Sequence, residues 1–144
     1  LRVQQRLEEE KFMSDTEVNH KYPIKLILVD DEPGYVSVLA KRMAKRNIIA
    51  VAATSGNEAI QILRNVHFDC AVLDLKMEDM DGIEVLKIFK IMAPTMPVIM
   101  LTGHGSETAA REGIKFGAFD YLTKPCNLDD LIRVISHACK REVQ

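Results

Sequence analysis

The chain has 144 residues, 47% of them apolar, and a formal net charge of −2. That length predicts one domain with a short appendage, large enough to bury an ordinary core. The balanced, dispersed charge argues against direct nucleic-acid binding, and no apolar run is long enough to span a membrane.

Residues 1–22 read as a charged extension or linker, with Leu1 to Lys11 rich in Arg, Gln and Glu, and residues 23–144 as the domain. No signal-peptide pattern opens the chain. Cys70, Cys126 and Cys139 lack any CxxC spacing, which fits reduced thiols in the cytoplasm.

From Pro23 the pattern alternates. Ile24 to Val29 is a β-branched apolar run, a buried strand. Asp30-Asp31-Glu32 follows, and Pro33 opens a helix carried by Val36, Leu39, Ala40, Met43 and Ala44 and closed at Asn47. Ile48 to Ala53 is a second strand. Ser55 with Glu58 predicts a capping box ahead of Ala59, Ile60, Leu63 and Val66. Cys70 to Leu73 is a third strand, ending at Asp74. A loop runs to Gly82, and a helix follows with Val85, Leu86, Phe89 and Met92 on one stripe. Val98 to Leu101 is a fourth strand, ending at Thr102. Ser106 is expected to cap a short helix to about Phe116, weakened by Gly113. Ala118 to Leu122 is a fifth strand, and Asn127 caps a last helix through Leu131, Ile132 and Ile135.

Five strand-helix units without hairpin signals predict an α/β fold. The expected form is a flavodoxin-like five-stranded parallel sheet, order 2-1-3-4-5, with helices on both faces. That topology sets Asp30, Asp31, Asp74, Thr102 and Lys124 along one sheet edge, where such folds place chemistry. Three crowded carboxylates repel and raise one another's pKa, which a divalent cation and a lysine relieve. Mg2+ suits oxygen ligands shared with a phosphate. The most economical chemistry makes Asp74 a nucleophile toward a phosphoryl group, with Lys124 neutralising its oxygens and Thr102 donating a hydrogen bond. Pro125 permits a cis bond after Lys124.

Four motifs in order resemble the receiver domain of two-component response regulators, over about residues 24–140: Leu28-Val29-Asp30-Asp31-Glu32; Asp74-Leu75-Lys76-Met77 with Met80-Asp81-Gly82; Leu101-Thr102-Gly103-His104; and Gly117 to Pro125. The resemblance implies that Asp74 takes phosphate from a histidine kinase or phosphotransfer protein. It implies Mg2+ on Asp31, Asp74 and the backbone carbonyl of Lys76, with Asp30 acting through water. Thr102 and Tyr121 become the switch pair, and Lys76 and His104 tune phosphoryl lifetime. The fourth helix, fifth strand and last helix form the face that answers to an output domain or downstream partner, and that face is a candidate homodimer contact. The implied protein is a phospho-acceptor rather than a metabolic enzyme. Glu78 departs from the pattern, standing where receivers commonly carry proline. A haloacid-dehalogenase-type hydrolase would want a second acid where Lys76 stands, and a pseudo-receiver would not need the full acidic set. The chain reads equally as a stand-alone receiver or as part of a larger regulator or hybrid kinase.

Overall fold

The computed structural model describes residues 3–8, 22–103 and 105–141, with residues 3–8 helical and exposed. The elements are β1 (Ile24–Val29), α1 (Pro33–Ala44), β2 (Ile48–Ala53), α2 (Gly56–Asn65), β3 (Cys70–Asp74), α3 (Gly82–Met92), β4 (Val98–Thr102), α4 (Glu107–Lys115), β5 (Asp120–Thr123) and α5 (Leu128–Cys139). The strands form one sheet in the order β2-β1-β3-β4-β5, every pair parallel, as the alternation predicts.

Strand side chains alternate between two cores. Ile27, Val29, Ala71, Leu73, Val98 and Met100 face α2, α3 and α4, where Ala59, Leu86, Phe89 and Ala110 meet them. Leu26, Leu28, Cys70, Val72, Ile99 and Leu101 face α1 and α5 through Leu39, Met43, Leu131 and Ile135. Because β1, β3 and β4 are covered on both sides, they read as continuous apolar runs.

The structure shifts several boundaries. β5 begins at Asp120 rather than Ala118. Gly117 takes φ +104°, and the Ala118 N–H donates to the Gly113 carbonyl. Those residues therefore close α4 before the ladder starts. At Ser55 half of the capping box forms: Ser55 Oγ accepts from the Glu58 N–H, while the Glu58 carboxylate accepts from Thr54 Oγ1. Val66 is extended and lies beyond α2. Ser106 stands at the N-cap of α4 but makes no side-chain cap bond, whereas Asp81, read only as loop, caps α3 through the Ile83 N–H at 2.8 Å. α1 ends at Ala44 with Lys45 at its C-cap, ahead of the expected Asn47, which at φ 61° turns the chain into β2.

Candidate functional site

Because every strand runs the same way, the ends of β1, β3, β4 and β5 converge on one edge. Asp30 follows β1 and is fully buried. Its Oδ1 accepts from the Glu32 N–H at 3.0 Å, and its Oδ2 accepts from Lys124 Nζ at 2.6 Å. Asp31 is half-buried, and its Oδ2 accepts from the Glu78 N–H at 3.2 Å. Asp74 ends β3, is buried, and accepts from the Lys76 N–H at 3.2 Å. Lys124 Nζ lies 3.6 Å from Asp74 Oδ2. The peptide bond from Lys124 to Pro125 is cis.

Carboxylate oxygens of Asp30, Asp31 and Asp74 lie within 4.8 Å of one another. That spacing fits oxygen ligands around one cation of the Mg2+ or Ca2+ type, whose metal–oxygen distances are about 2.0–2.6 Å. Three carboxylates against one ammonium leave two negative charges for such an ion to balance. The carboxyl of Asp74 is pushed up by burial; the Lys76 N–H and Lys124 oppose this, and the charges of Asp30 and Asp31 reinforce it. Burial pulls the Lys124 ammonium down, but its hydrogen bond to Asp30 and the charges of Asp74 and Asp30 outweigh that, leaving it raised.

The raised Asp74 value has a stability consequence. The folded chain holds that proton more tightly than the unfolded chain, so ionised Asp74 costs stability above its folded pKa. The cost vanishes below the unfolded value, roughly 3.9. Asp74→Asn is therefore expected to melt above the wild type at pH 7 in a chelator. The gap should narrow as pH falls toward 4 in scanning calorimetry. A variant that melts lower than the wild type at pH 7 would contradict this electrostatic account.

Thr102 is fully buried at the end of β4, and its hydroxyl donates to the Gly103 carbonyl at 3.1 Å rather than to an acid. Tyr121 sits half-buried on β5, opposite Met100. The Lys76 side chain is exposed, and His104 lies outside the described residues.

Three contributors escaped the sequence reading. The Tyr35 ring lies 4.6 Å from Lys124 Nζ. The Glu78 N–H reaches Asp31, a bond that proline at this position could not make. Asp79 accepts from the Gly56 and Asn57 N–H groups at 2.9 and 3.0 Å. It thereby ties the loop after β3 to the N-terminus of α2, and those two donors hold its carboxyl below the usual range. A helix beginning at Pro33 does put Tyr35 in the first turn beside the acids, a signal the sequence contained. The Glu78 and Asp79 bonds depend on how the loop folds back, which no spacing reports.

The sequence profile of the response regulator receiver domain matches residues 26–136, and the chain belongs to that family. It is 37% identical over 124 residues to the transcriptional regulatory protein GlrR of Escherichia coli, covering 86% of this chain and 28% of the relative. It is 35% identical over 111 residues to the DNA-binding transcriptional regulator NtrC of Proteus hauseri, covering 77% of this chain and 24% of that protein. The chain thus spans about a quarter of either relative. Among solved structures, the Francisella response regulator 1452 receiver domain superposes with TM-score 0.75 at 32% identity, covering 81% of this chain and 97% of that one. A response regulator receiver domain from Clostridium thermocellum gives TM-score 0.78 at 31% identity, covering 81% and 94%. Among the described residues no helix is long and apolar enough to cross a membrane.

Proposed function

We propose that residues 23–144 are a phospho-acceptor switch in which Asp74 takes a phosphoryl group from the phosphohistidine of a histidine kinase or phosphotransfer protein. The observation that carries this reading is the buried cluster of Asp30, Asp31 and Asp74 with Lys124 at the sheet edge. An Asp74 oxygen attacks phosphorus, the phosphorus–nitrogen bond breaks, and its electron pair returns to the imidazole, which takes up a proton. Hydrolysis later returns the Asp74 carboxylate and inorganic phosphate.

Asp31, Asp74 and the Lys76 backbone carbonyl would hold Mg2+, with Asp30 acting through a water. The ion would supply positive charge for the phosphoryl oxygens. Lys124 supplies a second positive charge from the opposite side. Thr102 turns its hydroxyl from the Gly103 carbonyl to the phosphoryl group, and Tyr121 turns inward in the vacated space. The face of α4, β5 and α5 then answers to an output domain, a downstream protein or a second copy. Residues 1–22 lead into the switch as an extension or linker, and the whole works in the cytoplasm. The chain catalyses only its own phosphotransfer and dephosphorylation. Lys76 and His104 set the phosphoryl lifetime by charge and crowding at the path of the attacking water.

Intact mass after incubation with acetyl phosphate and Mg2+ tests the reading. One labile phosphoryl adduct is expected on the wild type, and none on Asp74→Asn or in chelator. Adduct decay should change when Lys76 and His104 are both replaced by alanine. A folded wild type that takes neither phosphoryl nor beryllofluoride would sink the switch in favour of a pure docking module.

A further inference from the structure

The Lys124 side chain is long and flexible, yet its ammonium is held 2.6 Å from Asp30 and 3.6 Å from Asp74, with only 20% of the side chain exposed. Holding such a side chain in one rotamer runs against its conformational entropy, so a packing partner beside the acids helps to keep it in place. The Tyr35 ring occupies that place, with Nζ 4.6 Å from its centroid, inside the range of a cation–π contact. Tyr35 is the third residue of α1, half-buried against the core shared by α1 and α5.

The far end of the ring also has a neighbour. The Tyr35 hydroxyl lies near the Cys126 thiol, close enough for each to shift the other's titration, and Cys126 lies two residues beyond Lys124 on the same loop. The ring therefore bridges the first turn of α1 and the loop that delivers the lysine. Its face lies against the same ammonium that the acids hold.

We propose that Tyr35 is a positioning residue for phosphotransfer, whose ring face aims the Lys124 ammonium at the Asp30–Asp74 edge of the cluster. This rests on the phospho-acceptor reading above. Tyr35 touches no phosphoryl group; it acts through the lysine. The ring face should matter more than the hydroxyl. Leucine fills much of the same apolar space without a π face, and phenylalanine keeps the face without the hydroxyl.

The test uses the full chain with Tyr35→Phe and Tyr35→Leu. Acetyl-phosphate phosphorylation is followed by mass, and Mg2+ affinity by calorimetry. NMR of the Lys124 ε-methylene protons reports the ring directly. Tyr35→Leu should lower kcat about tenfold. KM for acetyl phosphate and Mg2+ affinity should stay within about twofold, as for an interaction realised in the transition state. Tyr35→Phe should restore the rate to within about twofold of the wild type. The methylene protons should be ring-shifted upfield in the wild type and Tyr35→Phe, and not in Tyr35→Leu. A merely structural ring would lower melting temperature and Mg2+ affinity together with the rate, and that pattern overturns the proposal. So does a rate unchanged in Tyr35→Leu, or a wild type lacking the ring shift. A ring-shifted wild type that takes no phosphoryl group overturns the phospho-acceptor reading instead, and removes the reaction for which Tyr35 would position anything.

Discussion

Lys124→Met is expected to lower the unfolding free energy by about 3–5 kcal/mol at pH 7, the cost of removing one partner from a buried ion pair. Methionine keeps the length and apolar stem of lysine, so the loss isolates the charge. Asp30 has no exposed surface, and its Oδ2 accepts from Lys124 at 2.6 Å, so the substitution leaves a buried carboxylate without its cation. Asp74, 3.6 Å from the same ammonium, loses a neighbour as well. Arg46 and Asp129 make a contact of the same 2.6 Å length, but with side chains 34% and 66% exposed. Arg46→Ala should therefore cost under about 1 kcal/mol. Urea unfolding of the two variants side by side decides whether burial or distance sets the energy, and equal losses would refute the burial argument. The pH dependence carries a sign. The folded pKa of Lys124 is raised, so its contribution is complete below the unfolded lysine value of roughly 10.4 and is lost as pH rises through the higher folded value. The Tyr35 hydroxyl, pushed up to about 12 chiefly by burial, adds alkaline destabilisation of the same sign, starting near the unfolded tyrosine value of about 10.

The fold was legible because its three central strands are buried on both faces. Ile24–Val29, Cys70–Asp74 and Val98–Thr102 are continuous apolar runs bounded by polar residues, and alternation with helical stripes leaves few sheet orders. β5 was misplaced because it is an exposed edge strand. Tyr121 and Leu122 are only half-buried and Asp120 and Thr123 are exposed, so hydrophobicity does not mark its start. Its start is set instead by the left-handed turn at Gly117 and the bond from Ala118 to Gly113. The misjudged cap at Ser106 has a related cause. Ser106 has ψ near 10°, away from the extended conformation a capping side chain usually requires.

The candidate site was legible to the extent that it lies on strand ends. Topology alone brings Asp30, Asp31 and Asp74 to one edge, and β5 delivers Lys124 beside them. What topology does not report is which partner each group takes. Lys124 pairs most closely with Asp30 rather than Asp74, and the Thr102 hydroxyl rests on its neighbour's carbonyl. Such choices depend on differences of about 1 Å among side-chain positions, and hydrogen bonds discriminate on that scale. Gly113 shows the opposite case, where a residue read as a weakness has a packing reason. A Cβ there would lie 2.4 Å from Met100 Sδ, so glycine leaves the Met100 side chain its present place between α4 and β4.

Gly82→Ala and Gly113→Ala make the same chemical change, yet the first should be far more damaging. At Gly82 the added Cβ would lie 2.5 Å from Leu75 Cα, 2.8 Å from the Leu75 carbonyl oxygen and 3.0 Å from that of Asp74. Those are backbone atoms, held by the Gly82 N–H to Leu75 carbonyl bond at 3.2 Å and by the β-ladder of the strand end itself. The clash can be relieved only by displacing the chain at Asp74 and Leu75. The loss is expected at or above the upper end of the roughly 1–3 kcal/mol typical of overpacking. Displacing Asp74 should also slow acetyl-phosphate phosphorylation in whatever fraction stays folded. At Gly113 the close atoms, Met100 Sδ and Cε at 2.4 and 2.7 Å, are the free end of a flexible side chain that can change rotamer. Alanine also gains about 1 kcal/mol of helix propensity over glycine there, so the net change should stay within about 1 kcal/mol of zero. Denaturant midpoints for the two variants measure this ordering. If Gly113→Ala proved as costly as Gly82→Ala, then Met100 would be as rigid as backbone and α4 would be locked on the sheet. If Gly82→Ala were tolerated, the loop after Asp74 would have slack that its contacts with β3 do not suggest.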